Sequence, residues 1–126
     1  MKHLILIFLL SFVAFNSKAQ TETKNHLINP THHQWKWNED GCFNKWSVTF
    51  ENKTKQTITS ITFRLIIEDK ESRVVRYKKT HTINYTLNAY ESVPSPYFNL
   101  SQEVCGLKNP SNLEGYYYYT EVISFK

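Results

Sequence analysis

Residues 59–69, TSITFRLIIED, decide the fold. Ile61, Phe63, Leu65 and Ile67 fall on one side of an extended chain. Thr62, Arg64, Ile66 and Glu68 fall on the other, the period of two that marks a strand with one buried and one wet face. Working outward, residues 45–52, KWSVTFEN, put Trp46, Val48 and Phe50 on one side and Ser47 and Thr49 on the other. Downstream, RVVRYKK (73–79) and HTINYTL (81–87) repeat the pattern, the latter setting His81, Ile83, Tyr85 and Leu87 against Thr82, Asn84 and Thr86. Polar linkers NEDG (38–41), ENKTKQT (51–57) and EDKES (68–72) separate the runs at the spacing of a sandwich. Apolar residues never recur at helical spacing for more than a turn.

These runs predict an all-β domain, an immunoglobulin-like antiparallel β-sandwich of about seven strands. Its core should hold Trp46, Val48, Phe50, Ile61, Phe63, Leu65 and Ile67, and its last strand, from about Tyr116 to Phe125, should run inside a sheet. Pro94 and Pro96 in ESVPSPYFNL cannot donate to a ladder and belong at an edge or crossover. SQEVCGLKNPSN (101–112), broken by Gly106 and Asn109-Pro110, reads as the loop that returns the chain to that last strand.

At the start, a basic pair (Lys2, His3), an apolar run LILIFLLSFVAF and the small-residue ending NSKA form the pattern of a cleaved secretory signal over residues 1–19. The run is shorter than the roughly 18 to 20 residues that span a bilayer, so no transmembrane segment is expected after cleavage. Residues 20–32 are polar and unpatterned, a flexible leader or first edge segment, and residues 33–126 form the single domain. Cutting after Ala19 leaves 107 of the 126 residues, enough for one core. It also removes Lys2 and Lys18, so 13 basic residues face 11 acidic ones and the formal charge falls from +4 to +2. That field is too weak to argue for nucleic acid.

Cys42 and Cys105 are the only cysteines. Export would carry them where disulfides persist, which predicts a bond closing a loop of 63 positions. Two unpaired thiols or a metal site are the alternatives, although two cysteines without paired histidines make a poor zinc set.

VTFENKTKQTITSITFRLIIEDKESRVV (48–75), followed by LNAYES (87–92), resembles the secreted bacterial FxLYD-type immunoglobulin-like domains. Phe63 and Leu65 supply the Phe-x-Leu, Asn52 the preceding turn, Val74 and Val75 the next strand, and Leu87 and Glu91 the late turn. Ile66 stands where the family has Tyr, and Ala89-Tyr90 where it has Pro-Gly. The resemblance implies an extracytoplasmic sandwich module without an assigned activity, and it names no catalytic residue.

The candidate contact residues are aromatic: Trp35 and Trp37, the loop pair Tyr97 and Phe98, and four consecutive tyrosines, Tyr116, Tyr117, Tyr118 and Tyr119. On a strand Tyr116 pairs with Tyr118 and Tyr117 with Tyr119, so one pair faces out if the other faces the core. An outward pair can stack on sugar rings or grip a partner, because tyrosine offers a flat apolar face and a polar tip. Cross-strand packing accounts for the same residues. His32 and His33 are adjacent and point to opposite faces, poorly placed to share a metal. One of them with His81, Glu39 or Asp40 is the remaining metal set, against a simple solvated segment.

Arg76, Tyr77, Lys78 and Lys79 read as a solvated edge strand rather than a polyanion patch. Sequons stand at Asn52, Asn84 and Asn99. With only three glycines and no nucleophile elbow, zinc-protease helix or phosphate loop, no catalytic residue, cofactor or metal is expected. The leading expectation is a secreted or periplasmic non-catalytic module binding a protein or a glycan. A small inhibitor or immunity-type protein acting through SVPSPYF (92–98) is the second reading, and a secreted hydrolase built on scattered carboxylates the third.

Overall fold

A computed structural model describes residues 23–37, 42–107 and 114–126. The stretch read as an export signal, together with Glu39, Asp40 and Asn109-Pro110, lies outside the described residues. Seven strands follow in order: β1 (Ile28–Lys36), β2 (Lys45–Asn52), β3 (Ile58–Asp69), β4 (Val75–Leu87), β5 (Ser92–Pro94), β6 (Phe98–Asn99) and β7 (Tyr116–Phe125). A 3-10 turn, Gln102–Gly106, precedes β7. In the first sheet β2 lies between β1 on one side and β5 and β6 on the other. In the second, β3 lies between β4 and β7. All pairings are antiparallel. The connections from β2 to β3, β4 to β5 and β6 to β7 each pass between sheets, giving a two-layer antiparallel β-sandwich of the class that the alternation predicts.

All seven residues expected in the core are fully buried between the sheets. Trp46 sits among His33, Trp35, Phe43 and Tyr118, and its indole N–H donates to the Phe43 carbonyl at 2.8 Å. Cys42 and Cys105 are bonded, tying the approach to β2 to the 3-10 turn.

Three expectations are corrected. Of the two readings of residues 20–32, the first edge segment holds from Ile28 and the leader does not, so the domain begins before residue 33: β1 starts at Ile28, which is buried, at the edge of the first sheet, and its irregular register between Pro30 and His32 hides the alternation that would have marked it. The last strand does not run inside a sheet. β7 is an edge, and β3, apolar towards both faces, takes the middle. Ile66 accordingly is not wet, because its partners Lys78 and Tyr119 flank it on the outer face and leave it buried.

The outer edge of β7 is covered by the turn before β1. The Lys24 N–H donates to the Val122 carbonyl at 2.6 Å, and the Asn25 side-chain amide behaves as a peptide group. It donates to the Thr120 carbonyl at 3.0 Å and accepts from the Val122 N–H at 2.7 Å.

Three of the residues quoted for the resemblance, Asn52, Leu87 and Glu91, meet in a polar knot at one end of the sandwich. Asn52 is fully buried, and its amide donates to the carbonyls of Gln56 (2.7 Å), Leu87 (3.1 Å) and Asn88 (3.1 Å). Its oxygen accepts from the Thr54 N–H at 2.9 Å, and Glu91 accepts from the Asn88 N–H at 3.2 Å. This sequon is therefore closed to modification in the folded chain. Asn52→Ala should strip partners from several buried groups at once and cost about 2 to 3 kcal/mol. Urea denaturation would show the loss as a lower midpoint at unchanged slope.

Candidate functional site

Alternation along β7 divides the tyrosines. Tyr116 is buried, and Tyr118 packs edge-on against His33, Trp35 and Trp46. Tyr117 and Tyr119 project from the outer face of the second sheet, 45% and 41% exposed. The structure thus removes Tyr116, Tyr118, Trp35 and Phe98 from the candidate contact set: Trp35 packs on Trp46 at 5.3 Å, and Phe98 on Phe63 at 5.3 Å and His81 at 5.0 Å.

The remaining four do not form one surface. Trp37 is exposed beyond the end of β1 with its ring edge-on to Phe43. Tyr97 lies over the first sheet, its hydroxyl 3.5 Å from Gln34 and its ring under the Lys36 ammonium at 4.1 Å. The proline loop is pinned to that sheet rather than raised from it. Ser95, between Pro94 and Pro96, donates its N–H to the Val48 carbonyl at 2.9 Å, and its hydroxyl accepts from the Val48 N–H at 3.1 Å.

Around Tyr117 and Tyr119 stand residues to which the sequence reading gave no part in a site: Ile66 and Glu68 on the outer side of a strand, Lys70 in a polar linker and Arg73 at the start of the next run. Register places Glu68 opposite Tyr117 and Ile66 opposite Tyr119. Glu68 is buried beneath the rings, accepting from Arg73 Nε at 2.7 Å and from the Tyr119 hydroxyl at 3.4 Å. The Arg73 guanidinium lies 5.1 Å from the Tyr117 ring centre and the Lys70 ammonium 5.5 Å, both within cation–π reach.

The turn that delivers these cations is held by Asp69. Its carboxylate accepts from the N–H groups of Ser72 (3.3 Å) and Glu71 (3.0 Å) and lies 3.6 Å from Arg76. Those backbone N–H groups, ahead of Arg76, hold its carboxyl below the usual range. Arg73 itself adopts φ 60°, a left-handed conformation that costs a side-chain-bearing residue energy. The sequence accepts that strain where the guanidinium is aimed at the tyrosine face. A cleft of about 200 Å³ lined by Asp69, Arg76, Gly106, Leu107 and Tyr116 lies beside this turn.

The histidines play another part. His33 is not solvated: it points into the core from β1, with Nε2 2.8 Å from the Thr120 hydroxyl. Burial, then the neighbouring His32, pushes its pKa down to about 4. His81, 3.0 Å from the Tyr77 hydroxyl, is also lowered by burial. Among the described residues no three His, Cys, Asp or Glu side chains gather where they could hold a metal ion.

A depressed histidine costs stability in acid, because the unfolded chain takes up a proton near pH 6.5 and the folded chain does not. Stability should therefore be level above about pH 6.5 and fall towards pH 4. The slope should reach up to about 1.4 kcal/mol per pH unit for His33, with His81 adding to it. Urea midpoints across that range check this, and His33→Gln should flatten the profile while keeping a partner for Thr120.

No family model, curated protein or solved structure matches this chain, so the resemblance to FxLYD-type domains rests on the residues quoted for it.

Proposed function

We propose that this chain is an extracytoplasmic, non-catalytic binding module that engages a glycan or protein through the outer face of its second sheet. The observation that carries the reading is the outward pair Tyr117 and Tyr119, nearly half exposed on a three-stranded face with Lys70 and Arg73 alongside. Cross-strand packing does not require that exposure, since Tyr116 and Tyr118 already fill the core positions of the same strand. Tyrosine and arginine together are the residue types that dominate recognition surfaces. The bonded cysteines support an oxidising compartment, as does the signal pattern over residues 1–19. Binding would be non-covalent.

The test compares the native domain with a Tyr117→Ala/Tyr119→Ala variant against immobilised polysaccharides and against proteins of the secreting cell's envelope and medium. Both side chains face solvent, so the variant should fold, which circular dichroism checks. A ligand held by the native protein and lost by the folded variant supports the reading. Retention of every ligand by the variant overturns it.

A further inference from the structure

From the arrangement of Arg73, and resting on the binding face just proposed, we infer that the ligand is an anionic polysaccharide carrying ring carboxylates, a uronate polymer. Glu68 takes only the Nε of Arg73, and it does so from beneath the rings. The Arg73 side chain remains 67% exposed, and among the described residues its hydrogen bond to another side chain is the one from Nε to Glu68. Such a guanidinium is oriented in advance and keeps its outer edge for a carboxylate, which a planar fork binds through two parallel hydrogen bonds. The left-handed backbone of Arg73 and the hydrogen-bonded Asp69 turn fix the point from which it reaches. Lys70 adds a second positive charge at the same ring, and Lys78, opposite Ile66, a third on the same face.

The tyrosines supply the apolar half of the site. Positions i and i+2 on a strand stand roughly 7 Å apart, so Tyr117 and Tyr119 offer two flat faces in a row to which the C–H faces of pyranose rings can stack. Peptides bind sheets by adding a strand to an edge or by filling a groove. The edge of β7 is occupied at Thr120 and Val122 by Lys24 and Asn25, and the cleft beside the turn is lined by Tyr116 and not by the outward pair. An aromatic face beside fixed cations, set on the sheet surface rather than along the other edge at β4, matches a charged sugar chain better than a peptide that adds a strand.

Isothermal titration of the disulfide-bonded domain with polygalacturonate is the test. The chemically matched control is the same polymer fully methyl-esterified, which keeps the rings and removes the charge. Polygalacturonate should bind and weaken with added salt. The ester should bind roughly tenfold or more weakly, Arg73→Gln should lose a similar factor on the acid alone, and Arg73→Lys should recover only part of it. Tyr117→Ala/Tyr119→Ala should abolish both interactions.

Equal affinity for acid and ester, lost in the tyrosine variant, overturns the anionic ligand and leaves the binding face standing. Polyglutamate binding as tightly, with the same dependence on Arg73, also overturns the inference, because it assigns the face to acidic peptide. Failure of polygalacturonate, alginate and hyaluronan alike to bind the folded native domain overturns the inference. Retention by the tyrosine variant of every ligand held by the native domain overturns the binding face with it.

Discussion

Replacing Cys42 and Cys105 by serine is expected to cost about 4 kcal/mol, because the bond closes a loop of 63 positions and removes that freedom from the unfolded chain. For a domain of about 100 residues this is a large part of the whole stability and should lower the melting temperature by about 20 °C. The loss should not be spread evenly. The 3-10 turn buries only Val104 and meets the sheets through few groups, among them Glu103, whose carboxylate lies 3.1 Å from the Lys79 ammonium of β4. Without the bond this segment should open first, so proteolysis near Gln102–Gly106 should precede global unfolding. Thermal melts followed by circular dichroism, with and without reductant, read the first effect, and limited digestion reads the second. A serine pair that melts within a few degrees of the native chain would mean that the loop is already restricted when unfolded.

Trp46→Ala is expected to cost 3 to 5 kcal/mol, as deleting a large buried aromatic side chain generally does. Several features push this residue to the upper end. It is fully buried, four rings close around it, and they come from β1, β7 and the segment before β2. Such a site cannot collapse without moving both layers. The indole N–H also saturates the Phe43 carbonyl at 2.8 Å, which the alanine leaves unmet. Trp46→Phe separates the two effects: it keeps most of the ring volume, loses the hydrogen bond, and should cost only about 1 to 2 kcal/mol. Urea unfolding of the two variants side by side decides it, and equal losses would show that the hydrogen bond rather than the volume dominates.

The period-two runs made β2 and β3 legible because each carries a full set of apolar residues on one side, from Trp46 to Phe50 and from Ile61 to Ile67, whereas β4 was read as two runs because Lys79 interrupts its apolar side. β1 was missed at its start because Pro30 and the register shift beside it break the alternation. The position of β7 was misjudged for a different reason. Residue types show that a strand has a buried face, and they do not show which neighbours it has. The dense run of tyrosines resembles a central strand, yet its outer edge meets only the turn before β1.

The candidate site was half visible for the same cause. Alternation fixed that two tyrosines leave the core, but Glu68 and Arg73 belong to the site only because β3 and the turn after it are brought beside β7, 44 or more positions away in sequence, which no local pattern records. His33 was read as solvated because its neighbours are polar, whereas its surroundings come from β7 and β2.

The turn at Lys24 and Asn25 sets a limit on how the chain tolerates cutting. A protease that cuts after Asn25 leaves all seven strands in place, yet it frees the Thr120 carbonyl and both backbone groups of Val122. An uncovered, β-branched edge of this kind recruits other chains. Trimming by a few residues would then be felt as clumping and loss from solution before any drop in folding stability is measured.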